Sequence, residues 1–313
     1  MEKTSSIYVA GHKGLVGSAI LRRLQSMGYR NFILKDRKDI NLICQNEVEN
    51  LFSETKPEYV FLAAAKVGGI MGNKMHKADF IYQNLQIQNN IIYNSWNNNV
   101  KKLLFLGSSC IYPRNCPQPM KEEYLLTGLL EETNDAYAIA KIAGIKMCQS
   151  YNEQYGTNFI SVMPTNLYGI NDNFDINKGH VLPSLINKIY LAKINNQPAV
   201  ELWGTGTPLR EFLYVDDLAD ACVYLMNNYD KSGIVNIGTG EEISIKDLAD
   251  MIKKIVGYRG QLIWDANKPD GTPRKLLDVS LLQGLGWKHK VNLEIGIQQA
   301  YNWFLKNYGS LRR

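Results

Sequence analysis

Short apolar segments alternate with longer segments of helical periodicity over the first half of the chain, and this alternation narrows the possible folds sharply. Several of the apolar segments, such as 59–64, are apolar throughout, as expected of strands that helices cover on both faces. Strands that alternate with helices indicate βαβ units and a parallel sheet. The predicted strands are 6–10, 31–34, 58–64, 102–107 and 158–163, and the predicted helices are 15–27, 45–54, 78–98 and 136–154. We therefore expect an α/β fold with a doubly wound parallel sheet.

The pattern changes beyond Pro164. Residues 166–178 are polar and loop-like, and later segments are shorter, with turn signals at 204–206 and 269–271. We expect a second, smaller α/β domain to start here. Ligands of doubly wound sheets bind at the carboxyl ends of the strands, so the site is expected at that edge.

Composition excludes several classes of function. Of 313 residues, 45% are apolar and 21% charged, as in ordinary globular proteins, and the formal net charge of +5 is scattered rather than clustered. This argues against a nucleic-acid partner. No apolar run approaches the roughly 20 residues of a membrane span, and we see no signal-type segment, so a cytoplasmic location is expected. The five cysteines lack C-x-x-C spacing, which argues against disulfides and against a metal site.

A glycine-rich turn follows the first predicted strand. Gly11, Gly14 and Gly17 lie between that strand and an apolar-periodic helix. In this context the first glycine permits a tight turn, the second lets the backbone approach a pyrophosphate, and the third packs helix on strand. The turn predicts a dinucleotide site, and the alternative is an ordinary strand-to-helix turn.

Tyr137 and Lys141 stand four residues apart in a predicted helix, 29 residues after Ser108 at the end of a predicted strand. Helical periodicity places the phenol and the ammonium on one face. A nearby cation is expected to lower the pKa of the phenol, which could then protonate a carbonyl undergoing reduction while Ser108 binds its oxygen. Alone, the pair would be helix-surface decoration and Ser108 a strand-end serine.

Together these motifs resemble the extended short-chain dehydrogenase/reductase family, whose nucleotide-binding domain has the Rossmann fold. Four longer segments are similar to the GDP-L-fucose synthase branch, whose members act as GDP-4-keto-6-deoxymannose epimerase/reductases. The matching segments are 63–70, 107–113, 163–169 and 269–278. The resemblance runs from about residue 6 to about residue 306.

The resemblance implies a domain division and a cofactor. It implies a dinucleotide-binding domain of residues 1–165 plus 211–238, and a GDP-sugar-binding domain of residues 166–210 plus 239–313. Lys13 and Arg37 match positions that hold the 2′-phosphate of NADPH, whereas Asp36 is discordant and is interpreted as a solvated turn residue. The implied cofactor-binding residues are Gly11, Lys13, Gly14, Leu15, Val16, Gly17, Arg37, Leu106, Lys141, Pro164, Asn166, Leu167 and His180.

The resemblance also assigns acid–base roles outside the reductase centre. It makes Cys110 the base and His180 the acid for epimerisation next to a keto group, although each residue type is also common as packing. It assigns substrate binding to Lys188, Trp203, Arg210 and Asp270, since cations suit a pyrophosphate and an indole suits stacking on a base.

The expected function is NADPH-dependent C3/C5 epimerisation and C4 reduction of a GDP-linked 4-keto-6-deoxymannose-type sugar. The family resemblance also implies a homodimer, in which the helices 78–98 and 136–154 pack against their counterparts in the second subunit. One alternative is C4 reduction only, on an already epimerised GDP-4-keto sugar such as a heptose. A remote alternative is a non-catalytic dinucleotide sensor. The segments 71–77 and 175–179 depart from the family pattern and are expected to border the sugar.

Overall fold

A computed structural model describes residues 1–268 and 270–311; Pro269, which begins one matching segment, and 312–313, at the end of the predicted second domain, lie outside it. The strands, in chain order, are β1 (Ile7–Ala10), β2 (Phe32–Ile33), β3 (Tyr59–Leu62), β4 (Lys102–Leu106), β5 (Phe159–Pro164), β6 (Asn166–Tyr168), β7 (Ala199–Trp203), β8 (Leu209–Arg210), β9 (Phe212–Tyr214), β10 (Ile234–Ile237), β11 (Ile243–Ser244), β12 (Gln261–Asp265) and β13 (Arg274–Lys275).

Helices cover both faces of the main sheet. They are α1 (Leu15–Ser26), α2 (Gln45–Thr55), α3 (Ile70–Met75), α4 (Lys77–Asn97), α5 (Asp135–Tyr155), α6 (Val181–Ile194), α7 (Val215–Asn228), α8 (Ile245–Val256), α9 (Ser280–Gly284) and α10 (Leu293–Asn307). Short 3-10 helices lie at Ser109–Ile111, Glu122–Tyr124 and Tyr308–Ser310. No helix in the described ranges is long and apolar enough to cross a bilayer.

The main sheet is parallel and has the strand order β10-β5-β4-β3-β1-β2 in the described chain. The order reverses beside β1, as in a doubly wound sheet, so the predicted fold class is confirmed. The first five strands and first four long helices fall within a few residues of their predicted bounds. Most buried side chains of these strands are apolar on both faces, because α1 and α7 pack on one face and α2, α4 and α5 on the other.

A separate apolar core lies beyond β5. It is formed by α6, α8 and α10 with β7, and its large side chains include Phe174, Tyr301 and Phe304. Two small sheets, β11-β8-β13 and the parallel pair β12-β7, border this core. In contrast, β10 belongs to the main sheet and α7 packs on it. The residue-level division into two domains stays a prediction.

Glu211 connects the two apolar cores through hydrogen bonds of its buried carboxylate. Its carboxylate is buried, with 0% of the residue exposed, and it accepts N–H bonds from Thr239 (2.6 Å), Gly240 (2.8 Å) and Leu277 (3.0 Å). Thr239 and Gly240 follow β10, whereas Leu277 follows β13. Burial raises the pKa of this carboxyl, and the three donors partly offset that effect. The segment after β13 is thereby held against the main sheet.

Candidate active site

The glycine turn forms an open cradle at the carboxyl end of β1. Gly11 has φ +83°, a conformation that favours glycine, and a Cβ there would lie 2.9 Å from the Ala64 backbone nitrogen. A Cβ on Gly17 would overlap the Gly11 carbonyl. Gly14 caps α1 without a side-chain acceptor, so the first-turn N–H groups at Leu15 and Val16 face the cradle. This geometry fits a dinucleotide pyrophosphate.

An unsatisfied polar atom lies in the same turn. The Nδ1 atom of His12 is buried and lacks a hydrogen-bond partner among the described residues. Burial is also the main reason that the pKa of His12 is lowered. A bound phosphate oxygen or hydroxyl would satisfy this atom.

Asp36 begins a turn, as interpreted from the sequence, but its side chain also forms an ion pair. Its carboxylate pairs with the Lys13 ammonium, and its other oxygen accepts from the backbone N–H of Lys38 at 2.7 Å. The Lys13 hydrogen bond is the main reason that the pKa of Asp36 is lowered to about 2. Arg37 is exposed beside this pair. The predicted 2′-phosphate position therefore contains two cations and one competing carboxylate.

The remaining predicted cofactor residues lie at or near the same edge of the sheet. Leu106 and Pro164 are the last residues of β4 and β5, and Asn166 and Leu167 lie in β6. The Asn166 side chain donates to the Glu211 carbonyl at 2.8 Å.

Tyr137, Lys141 and Ser108 meet at the carboxyl end of β4. The Tyr137 hydroxyl and the Ser108 side chain are hydrogen-bonded, and the Lys141 ammonium lies 5.8 Å from the centre of the Tyr137 ring. Lys141 is only 4% exposed and donates to the carbonyl of Leu106 at 2.7 Å. The structure thus brings together the three residues predicted for reduction.

The predicted direction of the Tyr137 pKa is wrong for this structure. Burial raises that pKa above its ordinary value; a negative charge on Cys110 would raise it further, and the Ser108 hydrogen bond lowers it in part. The cation was expected to dominate, but Lys141 is itself desolvated and its pKa is lowered to about 7. The phenol therefore keeps its proton at neutral pH, which is the state a proton donor needs.

We expect the buried Lys141 to cost stability at low pH. Its pKa of about 7 in the folded protein is below the ordinary 10.5, so between these values the unfolded chain binds more protons and stability rises with pH. Lys141→Met should be more stable than the native protein at pH 6, by several kcal/mol at about 1.4 kcal/mol per pKa unit, and this advantage should shrink towards pH 10.

Urea unfolding at pH 6, 8 and 10 measures this difference. Lys146→Met, an exposed position on the same helix, is the control and should show little pH-dependent difference. An advantage of the Lys141→Met protein that stays constant from pH 6 to 10 would contradict the prediction.

Cys110 is half-buried in the 3-10 helix that follows β4. The Asn134 side-chain amide donates to its sulfur at 3.4 Å, and the Lys275 ammonium lies 3.7 Å from the same atom. The Cys110 backbone N–H donates to the Ser108 hydroxyl at 3.3 Å. The backbone of Cys110 therefore contacts Ser108 of the reductase centre directly.

His180 caps α6 at the end of the loop after β6, and it is exposed. Protein atoms around the imidazole lower its pKa by desolvation. No hydrogen bond between described residues joins it to Cys110. A Cβ on Gly69 would lie 3.1 Å from the Gly179 carbonyl oxygen, so the loops 67–69 and 175–180 pack closely.

Three of the predicted nucleotide-binding residues gather at one end of the second core. Asp270 accepts from the backbone N–H of Thr205 at 2.7 Å, close to Trp203, which is 55% exposed. Burial lowers the pKa of Arg210, and the charge of Asp270 partly opposes this. Lys188 lies on α6, where burial lowers its pKa and the charge of Glu201, two residues before Trp203 on β7, opposes the effect. Desolvated cations beside an exposed indole suit a nucleoside diphosphate.

Two residues at the thiol had no assigned role in the sequence analysis. Asn134 precedes α5 at its N-cap position, and its Oδ1 atom is buried without a partner in the described structure. Lys275 falls inside the matching segment 269–278, but spacing gives no sign that it reaches Cys110, 165 residues earlier in the chain.

Comparisons with known proteins agree with this geometry. The model of the NAD dependent epimerase/dehydratase family matches residues 7–238. The chain is 57% identical over 307 residues to the putative GDP-L-fucose synthase 2 of Arabidopsis thaliana, covering 98% of this chain and 94% of that protein. It is 50% identical over 315 residues to the GDP-L-fucose synthase of Escherichia coli strain K12, covering 98% of each.

A solved structure shows the same fold with a cofactor. The GDP-mannoheptose C4 reductase of Campylobacter jejuni with NADP bound has a TM-score of 0.90 to this chain at 44% identity, covering 97% of this chain and 99% of that one.

Proposed function

Because this chain belongs to the NAD dependent epimerase/dehydratase family, we propose that it catalyses NADPH-dependent C3/C5 epimerisation and C4 reduction of a GDP-4-keto-6-deoxymannose-type sugar. One observation carries the proposal: the Cys110 backbone N–H donates to the Ser108 hydroxyl, and the Cys110 side chain is close enough to Tyr137 for its charge to act on the pKa of the phenol. A base for epimerisation and an acid for reduction can then act on the same sugar.

The reductive step uses the residues at the end of β4. Bound NADPH supplies a hydride to the C4 carbonyl carbon. Tyr137 donates its proton to the carbonyl oxygen, which Ser108 positions through a hydrogen bond. Lys141, whose ammonium donates to the Leu106 carbonyl beside the phenol, binds the nicotinamide ribose in this proposal. The result is a secondary alcohol at C4.

Epimerisation precedes reduction because it requires the ketone. The C4 carbonyl acidifies the hydrogens at C3 and C5, and the Cys110 thiolate removes one of them, leaving the electron pair in an enolate. His180 then donates a proton to the opposite face of that carbon. Arg210 and Lys188 bind the diphosphate, and Trp203 stacks on the base, while Asp270 holds the adjoining turn.

Deuterium exchange tests the proposal. Incubated with the substrate in D₂O without NADPH, the protein should introduce deuterium at C3 or C5, and NADPH addition should then give the C4 alcohol, both read by NMR. C4 reduction with no exchange would instead support a reductase for an already epimerised sugar. The similarity to the Campylobacter jejuni heptose C4 reductase favours that second candidate, and a panel of GDP-4-keto hexoses and heptoses identifies the sugar.

Asp36 is expected to weaken NADPH binding. It pairs with Lys13, so a 2′-phosphate must displace the carboxylate and also face its charge. Asp36→Asn should lower the Kd for NADPH by about threefold to tenfold, because it removes a like charge from beside the 2′-phosphate. Fluorescence titration measures the Kd, and NADH, which lacks that phosphate, is the control. Equal effects on the two cofactors would refute a role at the phosphate.

A homodimer is proposed through the paired helices α4 and α5. Their outer surface exposes Tyr82 (57%), Tyr93 (37%), Ile139 (47%) and Tyr155 (47%), an apolar patch that a second copy would cover. Ile139→Glu should shift the protein from dimer to monomer in light scattering, whereas Ile263→Glu, at a 50% exposed position on β12, should not. A native protein that is monomeric would refute the dimer.

The five unpaired cysteines in the described chain suit a cytoplasmic protein.

A further inference from the structure

We propose that Lys275 holds Cys110 in its thiolate form, and so acts as a positioning residue for proton abstraction from the sugar. The inference rests on the proposed epimerase function and adds a residue to it. Its basis is the 3.7 Å approach of the Lys275 ammonium to the Cys110 sulfur. A thiol is a weak base, whereas a thiolate beside a cation is available at neutral pH.

The second observation is that Lys275 has no carboxylate partner within the described ranges, although its charged neighbours do. The pocket around Cys110 also contains Arg114 and Arg274. Arg114 lies 3.6 Å from Glu131, and Arg274 donates to Glu242 at 2.8 Å. The two arginine charges are therefore balanced locally, while the lysine charge faces the Cys110 sulfur and also acts on the Cys116 thiol.

The fold fixes the backbone next to Lys275 before substrate binds. Two hydrogen bonds hold the backbone just after Lys275. The N–H of Leu276 donates to the Gln118 side chain at 2.9 Å, and the N–H of Leu277 donates to the Glu211 carboxylate at 3.0 Å. Met120 in turn donates to the Leu276 carbonyl at 2.7 Å. Lys275 belongs to β13, in the second lobe, and Cys110 to the first.

The Cys110 sulfur is surrounded by two hydrogen-bond donors and one phenol. Asn134 donates to it from the start of α5, Lys275 approaches from β13, and the Tyr137 hydroxyl, bonded to Ser108, lies on the inner side. Two donors of positive character thus stabilise negative charge on sulfur. When the thiolate takes a proton from C3 or C5, an S–H bond forms, the C–H electron pair passes into the enolate, and no cofactor electron is used.

Alkylation by iodoacetamide tests the pairing without any turnover. The rate at Cys110 is measured from pH 5 to 10 by mass spectrometry of the peptide that contains it, with Cys110→Ser as the blank. In Lys275→Met the pH midpoint should move to higher pH by about 1 to 3 units, as expected for loss of an opposite charge this close. Lys275→Arg should restore most of the native profile, and Arg274→Met, a matched loss of a neighbouring charge, should move it much less.

Deuterium exchange supplies the second readout. At pH 7 the Lys275→Met protein should exchange at least about tenfold more slowly than the native protein and should recover as the pH is raised; C4 reduction of an already epimerised sugar should fall by less. A native alkylation profile in Lys275→Met overturns the inference even if the native protein exchanges deuterium. A native protein that fails to exchange overturns the proposed function, and the alkylation result still decides the pairing. If Lys275→Met does not fold, Lys275→Gln carries the same comparison.

Discussion

Replacing Tyr137 with phenylalanine is expected to slow C4 reduction by about 10²- to 10⁴-fold, the usual contribution of a positioned general acid. The substitution removes only the hydroxyl that is bonded to Ser108 and would protonate the carbonyl oxygen. The ring still packs edge-to-face on Phe80, with ring centres 6.5 Å apart, so the site should keep its shape. NADPH affinity should accordingly stay near the native value.

Stopped-flow measurement of NADPH oxidation gives the rate, and fluorescence titration gives the cofactor affinity. Tyr151→Phe is the matched control, since Tyr151 is on the same helix and its hydroxyl makes no hydrogen bond within the described structure. Native turnover in Tyr137→Phe would remove the phenol from the mechanism. Deuterium exchange at C3 and C5 should persist in this variant, because epimerisation does not use the phenol.

Replacing Cys110 with serine is expected to reduce deuterium exchange at C3 and C5 by about 10²- to 10⁴-fold. Serine has nearly the same shape, but its hydroxyl does not ionise near neutral pH and cannot replace a thiolate as base. The C4 alcohol should still form from an already epimerised sugar, since Tyr137 and Ser108 remain in place.

Cys116→Ser is the control, because Cys116 is a half-buried thiol six residues further along the same loop. NMR of the sugar recovered from D₂O gives the exchange rate for each protein. Exchange at the native rate in Cys110→Ser would assign the base to another group and would also remove the reason for Lys275 to contact the sulfur.

The first lobe was predictable because its signals are local. An apolar run sets each strand, and the 3.6-residue period sets each helix, so β1, α1 and α5 lie close to their expected bounds. Tyr137 and Lys141 share one helix, and Ser108 ends a neighbouring parallel strand, so sequence order alone brings them to one edge.

Other features depend on contacts between distant segments. The pairing of Lys275 with Cys110 requires β13 to cross back to β4, which no local period encodes. The strand β10 joins the main sheet through its pairing with β5, and only the family resemblance pointed to that return. The predicted lowering of the Tyr137 pKa was also wrong for a non-local reason. Burial of the phenol and of Lys141 has a larger effect on that pKa than the short distance between the two groups.

The close approach of the Gly69 and Gly179 backbones has a consequence for protein engineering. Of the two stretches that diverge from the family pattern, 175–179 belongs to the loop that contacts Gly69, and 71–77 lies largely in helix α3, which begins just after Gly69, so neither is an independent module. Grafting one of them from a homologue with another sugar preference would juxtapose mismatched surfaces, whereas transplanting both as a unit preserves their fit. Ancestral changes of sugar preference should accordingly have altered the two stretches together.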